Sequence, residues 1–297
     1  MLLQLLSIKP KPKSFNKHYT SSMISFIACI SCISSCCCNA RCLTHITDNL
    51  INRIFIIHIS SLIYIIIRMS STIIFLTKEQ CLSFIMNDSD KYFQNLTQYD
   101  LLARSVNTIN DYKNSIISLD FSESDTQRIK FYCDHIDKYL FKNNICGQWV
   151  FALTSGACYE NGFPHTRSNI IFLSSDILLS DDKQLLTTLI HEKIHIYQRL
   201  FKQKVQNDLL NMGYKVISTR SYFLEINNKL RSNPDLDEYI YSHPELGPMF
   251  TLYSSDNPQN ISDVIIKPNN NNKYDHPFEL MAYEVSTILS DKIYGTL

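Results

Sequence analysis

Glycine is scarce in this chain: six residues in 297, and none before Gly147. Acidic residues are nearly missing from its start. Residues 1–78 hold eight Lys or Arg against one acid, Asp48, which leaves a charge of +7. Residues 79–297 hold twenty basic and twenty-seven acidic residues, so the formal neutrality hides −7 on the larger part. That part has no basic stripe interleaved with aromatics, which argues against nucleic-acid binding. No internal repeat is visible, so a repeat array is not expected. No apolar run reaches the roughly 20 residues of a bilayer span. The nearest, IFIIHISSLIYIII at 54–67, has fourteen residues between Arg53 and Arg68.

What the start does contain sets it apart. Six of the ten cysteines fall between Cys29 and Cys42, in CISCISSCCCNARC, and Ile and Ser dominate the rest. We treat 1–68 as a Cys/Ile/Ser-rich leader, separate from a domain over 69–297. Three readings compete for it: a short membrane anchor at 54–67, a signal-like stretch at 23–35, or a true start at Met69 with the leader translated in error. Membrane contact enters only through the leader, and a start at Met69 implies a cytoplasmic protein. The cysteine cluster has a CxxC but no second CxxC or nearby His, so it is a poor metal site. The other four, Cys81, Cys133, Cys146 and Cys158, read as free core thiols.

Along the domain, STIIFL at 71–76, WVFAL at 149–153 and RSNIIFLS at 167–174 read as strands. Helical spacing marks 97–113, and again 122–141 behind a Ser122 or Ser124 cap. Gly156, Gly162 and Pro164 mark SGACYENGFPHTR, 155–167, as loop. A helix begins with Ser180 as N-cap and runs to about Lys204. Residues 206–230 read as further helix broken at Gly213, and 233–277 as a long irregular arm rich in Pro, Asn, Asp and Tyr. The final helix starts at Pro277. The fold class expected is α+β, mainly helical with a small sheet.

The helix after Ser180 carries HEKIH at 191–195. Residues four apart share a helical face, so His191 and His195 can offer imidazole nitrogens to one ion. Glu192 sits where it can reach a water on that ion. Zinc lowers the pKa of such a water toward about 7, and Glu192 can take its proton and pass it to a leaving amine. With nine His and nine Glu in the chain, chance alone produces HExxH in about one sequence in a hundred. The bland reading, two satisfied histidines on an amphipathic helix, does not explain the three residues together. Burying the group without a metal costs several kcal/mol in unpaired polar atoms.

A third protein ligand is required. The continuation IYQRLF lacks the Gly and His of HExxHxxGxxH, so it comes from elsewhere. The last helix offers Glu279 and Glu284 in HPFELMAYEVS. Glu279 is preferred because it lies in the first turn and Ala282, one turn on, lets two helices approach closely. The bland reading of Glu279 is an acid favouring a helix N-terminus. His243, His276, Glu225 and Glu245 complete the candidates.

HEKIH on a helix, a strand and loop before it and a distant helix with ExxA resemble the zincin class of metallopeptidases, and its Glu-ligand branch, the gluzincins, more than the metzincins. PHTR, TLIHEKIHIYQR and HPFELMAYEV are similar to uncharacterised zinc metallopeptidases encoded by large DNA viruses. The resemblance covers roughly 70–297. It implies His191 and His195 as ligands, Glu192 as general base, Zn2+ as cofactor, and an edge strand that pairs with an extended peptide or protein substrate. Neither NExxSD nor ExxxD occurs here, so the third ligand departs from the family pattern. RSNIIFLS is the edge-strand candidate. Ahead of it, His165 could stabilise an oxyanion and Arg167 could hold a substrate carboxylate; ordinary turn contacts are the bland alternative. Tyr253 and Tyr274 are further donors, and Tyr197 and Gln198 are expected to support the ligands. The expected function is a zinc-dependent peptidase. Its rivals are a non-catalytic metal- or peptide-binding protein of the same fold, and a membrane-anchored interaction protein with an accidental motif.

Overall fold

The computed structural model describes residues 72–140, 147–267 and 274–297. The leader, with its apolar run and cysteine cluster, lies outside the described residues, as does Cys146. Among the described residues no helix is long and apolar enough to cross a membrane. Helix and sheet are mixed, consistent with α+β.

In chain order come β1 (Ile73–Phe75), α1 (Lys78–Asn87), α2 (Gln98–Leu102), α3 (Ile109–Ser115), β2 (Ser118–Leu119), α4 (Glu123–Leu140), β3 (Trp149–Thr154), β4 (His165–Arg167), β5 (Ile170–Ser174), α5 (Ser175–Leu178) and α6 (Asp182–Leu200). The remainder is α7 (Lys202–Asn211), β6 (Lys215–Thr219), α8 (Arg220–Ile226), β7 (Tyr239–His243), β8 (Gly247–Tyr253), β9 (Val264–Lys267) and α9 (Pro277–Tyr294).

Local chemistry sets the helix starts. Thr77 with Gln80, Thr97 with Asp100 and Thr108 with Asp111 each form a capping box. The third box restarts the chain at Thr108, so 97–113 is two short helices rather than one. Ser122 caps α4, its hydroxyl accepting from Asp125 N at 3.1 Å. The cap of α6 is Asp181, accepting from Gln184 N at 2.8 Å. Ser180, one residue earlier, donates to the Ile177 carbonyl and closes α5 instead.

Strands β1 and β5 run parallel to β3 on its two sides, β2 pairs antiparallel with the end of β3, and β4 closes the sheet antiparallel to β5. RSNIIFLS is therefore not the edge. Its strand, β5, lies between β3 and β4, and the edge is β4, inside the stretch that reads as loop. Every residue of β3, β4 and β5 is buried, because helices cover both faces of the sheet. Val150, Ala152, Ile170 and Phe172 pack with Cys81 and Ile85 of α1. On the other face, Trp149 donates to Asp137 of α4 and lies under the Lys193 ammonium of α6 at 4.1 Å.

The irregular arm contains most of a second sheet. Strands β6, β7, β8 and β9 form an antiparallel ladder in that order. Alternation in GPMFTLY buries Met249, Thr251 and Tyr253 on one side, which is a strand's period of two. Pro244, Asn257, Pro258 and Asn260 lie between the sheet's strands, whereas Pro268 and the Asn run at 269–272 lie outside the described residues. The helix expected over 206–230 is likewise α7, β6 and α8, with Gly213 at φ 94° between the first two.

Candidate metal centre

The site is built by two helices packed against each other. Asp181 caps α6, whose buried stripe of Leu185, Leu186, Leu189, Ile190 and Ile194 sets the rotation of HEKIH. His276 caps α9 through Nδ1, which accepts from Phe278 N at 3.1 Å, and Pro277 follows at the first helical position. Ala282 is fully buried, and its small side chain suits close packing with α6. Gln198 of α6 ties the helices together, donating to the Phe278 carbonyl at 3.0 Å.

His191, His195 and Glu279 converge: their ligand atoms all lie within 4.8 Å of one another, and the group could hold a metal ion. Nε2 of His191 and Nε2 of His195 are 3.0 Å apart. Oε2 of Glu279 is 3.4 Å from the first and 3.8 Å from the second. Tetrahedral ligands about 2.0–2.1 Å from an ion stand about 3.3–3.4 Å from one another, so the spacing fits. Gln198 commits its amide nitrogen to α9, leaving Oε1 to face Nδ1 of His195 at 2.8 Å. That assigns the proton to Nδ1 and the lone pair of Nε2 to the centre. Asn233 donates to the other oxygen of Glu279, Oε1, at 2.9 Å. Among the described residues no Lys or Arg pairs with Glu192 or Glu279.

Glu192 is buried beside this group. Burial, then the charges of Asp235 and Glu279, push its carboxyl well above the usual range. Positive charge at the centre works in the opposite direction. Burial also raises Glu279, but the hydrogen bond from His191 and the two imidazoles outweigh it and hold the group low. Burial keeps His195 below the ordinary imidazole value. Thr166 of β4 donates its hydroxyl to Glu192 Oε2 at 3.1 Å. A cavity of about 390 Å³ opens on the centre, lined by His191, Glu279, Asn233, Asp235, Tyr274 and Tyr283.

Of the residues expected from sequence, the structure brings His191, Glu192, His195, Glu279 and Gln198 together. Glu284 is exposed on α9, Glu225 and Glu245 are exposed elsewhere, and none joins the ligand group. His243 packs on Tyr214, and His276 caps α9. Tyr253 is buried against Asp100, whereas Tyr274 lines the metal cavity and stacks on Tyr283. Tyr197 is buried in α6.

His165 and Arg167 lie on β4, but their side chains leave the face that meets Glu192. The pairs His165–Phe172 and Arg167–Ile170 put both on the opposite face of the sheet. His165 stacks on Phe172 at 5.1 Å, and its Nδ1 meets the Phe163 carbonyl at 3.0 Å. Burial holds its pKa down, its Nε2 is buried without a hydrogen-bond partner, and the residue lines the cavity that also meets His191 and Glu279. Arg167 is committed to Asp88, Asp90 and the Tyr159 hydroxyl. Thr166 between them is the residue that reading missed. Strand alternation would have identified it, had HTR been recognised as strand.

No family model, curated protein or solved structure matches the chain.

Proposed function

We propose that the chain is a zinc-dependent peptidase that hydrolyses an amide of a peptide or protein, with Glu192 as general base. The observation that carries this is the convergence of His191, His195 and Glu279 beside a buried Glu192. Two imidazoles and one carboxylate suit zinc with one open position. When bound, the ion supplies a Lewis acid and a water of pKa about 7.

The chain's own residues do the rest. His191, His195 and Glu279 are the ligands. Gln198 fixes the tautomer of His195, and Asn233 holds Glu279 by its outer oxygen. Glu192, oriented by the Thr166 hydroxyl, takes a proton from the attacking water and returns it to the departing amine. The cavity, which Tyr274 and Tyr283 help to line, is the space for the substrate. A motif helix, a Glu donated by a second helix and an antiparallel edge strand beside the motif support the gluzincin-like reading. A general base buried next to the ligands favours a catalytic site over a structural one.

The test uses the full-length protein, with zinc measured by elemental analysis and cleavage measured on a peptide library. The expectation is stoichiometric zinc and cleavage. Glu192→Gln keeps the zinc and loses about 10²–10⁴-fold in rate. Glu279→Ala loses the zinc. Undiminished hydrolysis in Glu192→Gln would sink the mechanism.

A further inference from the structure

We infer that residues 233–235 form a resident strap lying where an extended peptide would pair with β4, and that such a peptide binds by displacing it. The inference rests on the peptidase reading and adds what limits access to its site.

Strand β4 has three residues, and its pairing with β5 leaves one of them facing outward. His165 and Arg167 flank the pair Thr166–Ile171. Both main-chain groups of Thr166 find partners away from β5. In an antiparallel ladder these outward groups are the ones an added strand would use. Each is already taken. Thr166 N donates to Oδ1 of Asp235 at 2.6 Å. The Thr166 carbonyl accepts from the Arg199 guanidinium at 2.8 Å, and the same nitrogen also grips the Pro234 carbonyl at 2.5 Å.

The strap bridges the cleft to the metal centre. Asn233 reaches Glu279 with Nδ2 and holds Asp235 N with its oxygen, at 2.9 Å each. One side chain thus couples the segment covering the edge strand to the third ligand. The strap's ends are moored to other elements of the fold. Ser232 binds Asp100 through both its amide and its hydroxyl, and the Glu238 carbonyl accepts from Arg220 N. Residues 233–235 can therefore swing while 232 and 238 stay fixed. Cavities of about 390 and about 450 Å³ lie on its two sides, both lined by Asn233, Pro234 and Asp235. Moving the strap would join them into one groove along β4.

The test compares two probes on cobalt(II)-loaded full-length protein, read by the visible absorption of the metal. Acetohydroxamate is too small to reach β4; a hexapeptidyl hydroxamate is not. Asp235→Ala frees Thr166 N and raises the affinity ratio of the peptidyl probe to acetohydroxamate about tenfold; the ratio is read because the lost charge also acts on the centre and shifts both affinities together. Asp235→Asn keeps an oxygen for Thr166 N and leaves the affinity ratio at the parent value. An unchanged ratio in Asp235→Ala, or an equal rise in Asp235→Asn, overturns the strap. Absent cobalt binding strikes the metal reading itself, and displacement is then read by hydrogen exchange. The same measurement serves if Asp235→Ala does not fold. In the unmodified protein, saturating hexapeptide should speed amide exchange over residues 231–236; unchanged exchange overturns the inference.

Discussion

Strand β4 separates two clusters of buried charge that solve the same problem differently. Behind it, Arg104 pairs with Glu160, Arg167 pairs with Asp88 and Asp90, and Tyr92, Tyr112 and Tyr159 supply hydroxyls. The aromatic rings of Phe84, Tyr92 and Phe93 lie within 5.0 Å of the Arg167 guanidinium. Each charge there has a protein partner of opposite sign. In front of it, His191, His195, Glu192 and Glu279 converge without a pairing Lys or Arg among the described residues. Burying charge is costly unless it is compensated. The first cluster compensates itself, and the second has a shape and donor set that a divalent cation completes. Similar residue types at similar depth thus form a structural brace on one face and a candidate reaction centre on the other.

The largest expected effect breaks the brace. Arg167→Met leaves buried Asp88 and half-buried Asp90 without their cation and destabilises the fold by about 3–5 kcal/mol, measured by chemical denaturation. Zinc content of the remaining folded protein is unchanged, because the metal centre lies across the sheet. Next is acid. Burial pushes Glu160 up, but Arg104 outweighs it and holds the carboxyl at about 2. A depressed folded pKa contributes stability above the unfolded carboxylate value and loses it as pH falls toward about 2. Circular dichroism against pH should show that loss, and Arg104→Met should shift it to higher pH. At the centre, Gln198→Leu removes the partner of His195 and weakens zinc about 10–100-fold by competition with a chelator, with the helices intact. Smallest is Thr166→Val, which releases Glu192 and lowers kcat about tenfold at full zinc occupancy.

Much of the centre was legible because helical periodicity is local. His191 and His195 are four apart on a capped helix, and Gln198 lies one turn beyond. Pro277 marked the start of α9 and placed Glu279 in its first turn. The edge strand was less legible because β4 is only three residues long and follows Gly162 and Pro164, whose turn signal dominates the stretch. Expecting loop there put attention on His165 and Arg167, the residues with obvious chemistry, and passed over Thr166. The second sheet was hidden in the same way: turn-forming Pro and Asn between its strands outweighed the short alternations of β7 and β8. Asn233 and Asp235 carried no signal at all, since their partners Glu279 and Thr166 stand 46 and 69 residues away.

By itself the sequence determined the helices of the centre and the spacing of its two histidines, because those follow from interactions within a few residues; the caps themselves are Asp181, one residue beyond Ser180, and His276. Only the tertiary structure decided which acid joins the two histidines, which residue of β4 faces Glu192, and what covers its edge. Those depend on how α6, α9, β4 and residues 233–235 pack, and packing joins positions that no short-range pattern links.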